Sequence, residues 1–424
     1  MDGRNRSGGA PAGAVVHKYG GSSLASLEDV RRVAERVRDR HHAEGPLVVV
    51  VSARGGTTDD LLRTARELGT AHGCREVDQL LATGENASAA TLALALHRLG
   101  VPAVSLSGPQ AGITVEGRHG EGMIDAFSPV RVRDHLDGGA TVVVAGFQGE
   151  GRGGDVQTLG RGGSDTTAVA LTAALDAPLC EIRTDVDGVY TADPRIVPDA
   201  HILAHVPGEV MAEMAYAGSR VLHSRSVELA AARGVAIRVR HASGRGPGSL
   251  VGGTPATDAP PVAALAHDPD TARLLIRGGS GTAALASDLL RLFAERSVRV
   301  DLVGHTLPSQ DRLRLGCTLR TEDLPEIIPA LRSRLAAAGA ELAVDEHVGK
   351  VSLVADSTHN MPGLAATALR ALREAGIPVS WVSASPLRAS AVVPRERTAD
   401  AVRLLHDLLG LARSGEPATS LAPV

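Results

Sequence analysis

Aromatic side chains make up only 2% of this 424-residue sequence: three Phe, three Tyr and a single Trp. Stacking platforms for single-stranded nucleic acid are therefore hardly available. A formal net charge of −4 adds no basic field that would gather a polyanion. No stretch approaches the roughly 20 consecutive apolar residues that span a bilayer. Cysteine is scarce as well. Cys74, Cys180 and Cys317 are odd in number, far apart and not in metal-ligand spacing, which predicts three buried free thiols in a reducing, cytoplasmic setting. Lysine is scarcer still: of 44 basic residues, only Lys18 and Lys350 are not arginine. In such a chain each lysine invites a question.

These absences exclude nucleic-acid and membrane partners and leave a small molecule as the expected ligand. The composition that remains, 43% apolar and 22% charged, is that of an ordinary globular protein. The length calls for two or three compact units. Met1–Gly13, rich in Gly, Ser and Arg, reads as a disordered leader, and the tail after Gly415 as disordered too.

The pattern to about Arg240 alternates short β-branched runs with long Ala/Leu/Arg helical stretches. Strands are expected at 15–19, 46–52, 103–106 and 140–147, and helices at 27–41, 57–68, 76–99 and 165–175. Strands apolar on both faces and separated by helices predict an α/β fold, a mainly parallel sheet sandwiched by helices. Residues 242–261, rich in Gly, Pro, Ser and Thr, read as a linker. Beyond them a strand–helix–strand–strand–helix cycle occurs twice, which predicts a duplicated α+β module.

Three motifs could carry chemistry. Lys18-Tyr19-Gly20-Gly21-Ser22-Ser23 follows a strand and precedes a helix. Its glycines would let backbone N–H groups approach an anion, and Lys18 would add a point charge. It is not a Walker A loop, which has a different spacing. The second motif runs from Thr158 to Thr167. Here Ser164 suits an N-cap, Asp165 a first helical turn, and a buried Arg161 between glycines could hold a carboxylate bidentately. The third, Thr184 to Arg195, offers Tyr190 for stacking a purine and Arg195 for phosphates, although a plain polar loop would use the same residue types. Gly149–Gly154 matches a dinucleotide-binding pattern but is followed by turn residues, so it is read as a hairpin loop.

In this order and spacing the three motifs resemble the aspartate kinase branch of the amino-acid kinase superfamily. The likeness extends from about Val15 to Arg413, and Ser52-Ala53 with Thr57-Thr58-Asp59, Thr83-Gly84-Glu85 and Gly146-Phe147-Gln148-Gly149 also match. It implies a catalytic domain over 14–241, a linker over 242–261, and two ACT units over 262–345 and 346–415. The implied activity is transfer of the ATP γ-phosphoryl group to the side-chain carboxylate of L-aspartate, with Mg²⁺. Amino-acid biosynthesis toward lysine, threonine or methionine, an amino-acid effector at the ACT units, and a homo-oligomer are implied too.

By the resemblance, Lys18 and Asp165 are catalytic, Asp165 orienting Lys18 or the substrate. Ser52, Thr58, Glu85, Phe147, Arg161 and Ser164 form the aspartate pocket, with Arg161 on the α-carboxylate and Glu85 on the α-ammonium. Lys18, Gly20, Gly21, Ser22, Thr184, Asp185, Tyr190, Asp193, Arg195 and Arg220 form the nucleotide site; no residue is assigned to a metal. A substrate carboxylate with a pKa near 3.9 is already ionised at neutral pH and needs no general base.

Departures are informative. Arg220 stands where the family commonly has lysine, which predicts a raised KM for ATP. Asn86 follows Glu85 where many relatives have arginine, and others vary there. The first ACT unit reads Ser280-Gly281-Thr282-Ala283-Ala284 in place of an acidic turn and Thr306 in place of an asparagine, while Pro362-Gly363 is kept. Loss of an anion facing an effector's ammonium predicts weak feedback by lysine or threonine. A second subunit from an internal start would need a non-ATG codon, since no methionine lies between Met214 and Met361. The other readings are a paralogous kinase for a different amino-acid carboxylate and a non-catalytic amino-acid sensor.

Overall fold

The computed structural model describes residues 16–70, 73–253, 263–278, 282–296, 298–306, 313–356 and 360–412. The expected leader and tail, the end of the expected linker and the Ser280–Gly281 turn lie outside the described residues, as does the side chain of Thr306. Two compact units emerge. The first holds the described residues up to Val189, Ile202–Ala215, and Arg220 onward through residue 253; the second holds Tyr190–His201, Tyr216–Ser219 and everything after.

In the first unit the chain runs β1 (Val16–Tyr19), α1 (Leu27–Glu44), β2 (Val48–Val51), α2 (Thr57–Glu67), α3 (Arg75–Arg98), β3 (Ala103–Leu106), β4 (Ile113–Glu116), β5 (Met123–Phe127), α4 (Val130–Asp137), β6 (Thr141–Ala145), β7 (Gln148–Glu150), β8 (Val156–Thr158), α5 (Gly163–Ala174) and β9 (Leu179–Thr184). It continues with β10 (His205–Val206), α6 (Gly208–Ala217), α7 (Ser224–Arg233), β11 (Ala236–His241) and β12 (Ser249–Val251), the last two residues of α6 falling in the second unit. The main sheet has the order β10-β12-β11-β9-β1-β2-β6-β3 and is parallel except at β11/β12. All four valines of β2 are buried, as a strand covered on both faces requires. The chain fills the sheet to one side of β1 first and then crosses to β9 on the other side. That reversal leaves a crevice outside the carboxyl ends of β1 and β9, where open α/β sheets bind ligands.

A separate four-stranded sheet, β5-β4-β7-β8, lies within the same unit. Its β7–β8 arm is the hairpin expected around Gly149–Gly154. The β4–β5 arm was not predicted from the sequence. The residues read as a linker are only partly a tether: Ser249–Val251 form β12, and the Ser249 hydroxyl, fully buried, accepts from the Val189 N–H at 2.8 Å.

The second unit carries β13 (Ala263–Gly278), α8 (Thr282–Glu295), β14 (Asp301–Thr306), β15 (Leu313–Arg320) and α9 (Leu324–Ala338), then β16 (Ala340–Ala355), α10 (Met361–Glu374), β17 (Trp381–Ala384), β18 (Arg388–Pro394) and α11 (Thr398–Leu408). This is the expected duplication, laid out as one antiparallel sheet of order β14-β15-β13-β16-β18-β17. Each copy has its own apolar core, one around Leu289, Phe293, Ile327 and Leu331, the other around Leu353, Leu372, Val402 and Leu405. Trp381 lies over two glycines: a Cβ on Gly304 or Gly316 would come within 2.6 or 2.2 Å of its ring. Lys350, the second of the two lysines, donates to Asp301 Oδ2 at 2.6 Å and to the Tyr216 carbonyl at 3.2 Å, and Arg388 Nη2 donates to Asp301 Oδ1 at 2.7 Å.

Two pieces of the 14–241 stretch pack within this second unit. Thr191 sits 3.0 Å from the His406 ring, the Leu265 N–H donates to the Thr191 carbonyl, and Ala192 and Val197 join the second apolar core. Of the three cysteines, all free, Cys180 and Cys317 are buried as expected, but Cys74 is only half-buried.

Candidate active site

Lys18 is the third residue of β1, flanked in register by Val50 of β2 and Ile182 of β9. Strand alternation sends Lys18 to the opposite face from Tyr19. There it meets the start of α5, and its ammonium lies 2.7 Å from Asp165 Oδ1, both side chains 12% exposed. One more residue along, Gly20 and Gly21 turn the chain. A Cβ on Gly21 would sit 2.5 Å from the Ala53 carbonyl oxygen, so only glycine permits this approach of the β1 turn to the one after β2. The Gly55 N–H donates to the Gly21 carbonyl at 3.0 Å and holds the two turns together. Ser22, just beyond, is exposed.

The first turn of α5 carries Ser164 and Asp165, both buried. The expected cap is corrected here. Gly162, at φ 71°, is the N-cap, and Ser164 is already inside the helix with no side-chain cap bond. Gly162 is needed because a Cβ there would strike His223 at 2.2 Å in a backbone region costly to other residues. Arg161 is corrected too: it is exposed, not buried, on a loop between Gly160 at φ 70° and Gly162. Glycines on both sides let the loop pass close to its neighbours, which leaves the arginine side chain at the surface.

At the end of β6, Phe147 adopts φ 72°, uncommon for a residue with a side chain and a mark of local strain. Its N–H donates to Thr167 Oγ1 at 3.2 Å, and Gly146 and Gly163 permit the close packing of this bend on α5. Ser52 and Thr58, after β2 and at the start of α2, are half-buried.

Glu85 comes from the middle of α3 and is 3% exposed. Gly84 lets the helix approach: a Cβ there would lie 2.9 Å from the Ala53 Cβ. Glu85 Oε1 accepts from the Ala53 N–H at 3.0 Å, whereas Oε2 is buried with no hydrogen-bond partner among the described residues. Burial pushes the carboxyl up to about 7, against the Ala53 bond that pulls it down. A buried carboxylate oxygen without a donor is costly unless a ligand supplies one. A cationic group is the donor such an oxygen suits.

Thr184 ends β9 at the crevice and Asp185 follows it, the threonine hydroxyl donating to Asp185 Oδ1 at 3.0 Å. Arg220 is exposed in the first unit. Tyr190, Asp193 and Arg195 belong to the second unit. There Arg195 Nε and Nη2 bind Asp193 at 3.0 and 2.7 Å, so each is the other's partner. The first unit thus brings Lys18, Asp165, Gly20, Gly21, Ser52, Glu85, Phe147 and Ser164 to the carboxyl ends of adjacent strands and the helices beside them. Sequence reasoning missed Asp78, fully buried on α3, and gave Gln148, whose side-chain amide donates to the Ala82 carbonyl at 3.1 Å, no role beyond its motif. An acid two residues after another acid in a helix reads as a wet face, and nothing in the sequence marks Asp78 apart.

Comparison with known proteins places this arrangement. Residues 13–241 match the Amino acid kinase family and residues 351–409 the ACT domain. The chain is 43% identical over 410 residues to an aspartokinase of Mycolicibacterium smegmatis, covering 95% of this chain and 97% of the other. Among solved structures it shares the fold of E. coli aspartokinase III in complex with aspartate and ADP, with TM-score 0.76, 24% identity and coverage of 94% and 100%. The same enzyme with lysine and aspartate gives TM-score 0.70 at 25% identity, with coverage of 93% and 99%.

Proposed function

The chain belongs to the amino acid kinase family, on its aspartokinase branch, and from that premise we propose how its own residues carry the reaction. It is an aspartate kinase, a phosphotransferase with a carboxyl group as acceptor and a place in amino-acid biosynthesis. The attacking oxygen is already anionic, so the barrier lies in bringing an anion to the ATP γ-phosphate. Lys18 would neutralise charge as it develops on the transferring group, and Asp165 would hold the ammonium in place. Gly20, Gly21 and Ser22 would line the phosphates with backbone N–H groups, and Thr184, Asp185 and Arg220 would close the nucleotide side within the first unit. Mg²⁺ suits this site. Asp185, exposed at the end of β9, is the hard oxygen donor that ion takes, and most of its ligands would come from phosphates and water. Bound there it would offset charge on the phosphate oxygens.

The observation that carries the substrate reading is the orphaned Oε2 of Glu85, which would receive the α-ammonium of L-aspartate. Arg161 would take the α-carboxylate, with Ser52, Thr58, Phe147 and Ser164 around the rest. The test is turnover of L-aspartate with ATP and Mg²⁺, trapping the acyl phosphate with hydroxylamine. Hydroxamate is expected from the wild type and, at the same aspartate concentration, in far smaller amounts from Lys18→Ala and Arg161→Ala. No hydroxamate from a folded, ATP-binding protein would move the substrate to another carboxylate, and failure to bind ATP would favour a sensor.

Feedback control is expected to be weak. On β14, Asp301 is held below the ordinary carboxylate range: burial pushes it up, but the Lys350 and Arg388 charges outweigh that. An effector's ammonium would find this anion already paired with two cations. Lysine plus threonine is expected to leave activity largely intact. Strong inhibition at sub-millimolar concentration would overturn this. The edge strands β14 and β17, with Val303 and Val382 exposed, support assembly into a homo-oligomer. Three free thiols support a cytoplasmic setting.

A further inference from the structure

We propose that Asp78 is a positioning residue that sets Arg161 at the right distance from Glu85, and so gauges the α-amino acid end of the substrate; this rests on the reading of those two residues above. Asp78 and Glu85 share α3 and are seven residues apart, close to two full turns, so they lie on one side of the same rigid helix. Glu85 reaches the turn after β2. Asp78 reaches elsewhere, to the segment that leads into Arg161.

Its carboxylate is 0% exposed and crowded with donors. Thr158 Oγ1 donates to Oδ1 at 2.6 Å and the Thr158 N–H to Oδ2 at 3.1 Å. The Gly120 N–H reaches Oδ1 and Oδ2 at 3.0 and 3.1 Å, and His119 Nδ1 lies 2.7 Å from Oδ2. One side chain therefore joins α3 to the end of β8 and to the 119–120 loop.

Both of those partners border Arg161. Thr158 is three residues before it. Gly120 lies behind the intervening glycine, since a Cβ on Gly160 would meet the Gly120 carbonyl oxygen at 2.8 Å. The loop itself, with Gly160 and Gly162 at positive φ, has little stiffness of its own. Arg225 Nη1 also donates to the Leu159 carbonyl at 3.0 Å, and the Leu159 N–H donates to the Phe147 carbonyl at 2.9 Å. Through Asp78 the loop is referenced to the helix that also holds Glu85, so the spacing between a cation for the α-carboxylate and an anion for the α-ammonium is built into one element. Effective alignment of this kind is lost by displacements of an ångström or less.

The experiment measures steady-state KM and kcat for L-aspartate and for ATP in the full chain carrying Asp78→Asn, with Thr158→Val as the milder variant should the first fold poorly. Asparagine keeps the shape but turns a donor toward donors; valine removes only the 2.6 Å bond. The aspartate KM is expected to rise about tenfold in Asp78→Asn and about threefold in Thr158→Val. The ATP KM should stay within about twofold of wild type in both. Wild-type aspartate KM in a folded variant, or equal rises for both substrates, would overturn the proposal, the latter because it marks general loosening. Arg161→Ala and Glu85→Gln run alongside. If these leave the aspartate KM unchanged, the reading of the two anchors fails and takes this proposal with it. If they raise it and Asp78→Asn does not, the positioning role alone is wrong.

Discussion

Lys18→Ala is expected to lower kcat by on the order of 10³-fold while the aspartate KM moves only a few-fold. That split marks an interaction made in the transition state, where charge spreads over the transferring phosphoryl oxygens. The same substitution should destabilise the fold, because it removes the ammonium that lies 2.7 Å from the Asp165 carboxylate, whose side chain is 12% exposed. Breaking a largely buried pair from one side costs about 3 kcal/mol, less what water recovers at this exposure. Combining Lys18→Ala with Asp165→Ala should therefore restore much of the lost melting temperature and none of the activity. A single variant with near-normal kcat would remove Lys18 from the chemistry. A double variant no more stable than Lys18→Ala would remove Asp165 as its partner.

The second large effect is a pH dependence that belongs to Glu85. Burial holds its carboxyl up to about 7 in the free protein. Below that pH it is protonated and offers no charge to an α-ammonium. Thus kcat/KM for aspartate should climb about tenfold per pH unit toward pH 7 and level off above it. Glu85→Gln should erase the inflection and leave a plateau lower by about 100-fold, the scale of a lost charged hydrogen bond. Stability should show the opposite trend. The folded chain holds a proton that the unfolded carboxyl, with a pKa near 4.3, has released. The contribution of Glu85 is therefore complete below about pH 4.3 and is lost as pH rises to about 7. Thermal melts of wild type and Glu85→Gln across that window test it. Parallel curves would show that burial does not perturb the group.

Some of this was legible in the sequence and some could not be. Lys18 stood out because the chain has two lysines, and Gly20-Gly21 because paired glycines suggest a tight approach, which the structure requires at Gly21. The parallel sheet showed in runs such as Val48–Val51, which no amphipathic helix would use. The β4–β5 arm escaped because its alternation, buried and exposed from Ile113 to Glu116, lasts only four residues. Arg161 was expected inside, since glycines around a cation suggest a cradle; the structure puts their lack of side chains to use for backbone contact with Gly120 and His223. Glu85 was marked by its motif, yet its unpaired oxygen is a property of packing alone. The grouping of Tyr190–His201 with the second unit was illegible for the same reason. Those residues sit in the middle of the catalytic stretch, and long-range contacts reveal where they pack: Thr191 with Leu265 and His406, and Ala192 and Val197 in the second apolar core.

Trp381, packed over Gly304 and Gly316, is the only indole in the chain. Its fluorescence is therefore a built-in optical reporter confined to the ACT half of the polypeptide. Glycine backbones leave that ring resting on peptide groups, a polar surface whose small shifts change an indole's emission. Amino-acid titrations can then be followed by light, in unlabelled protein and without substrates, so that ligand arrival at the ACT half is read separately from any change in catalysis.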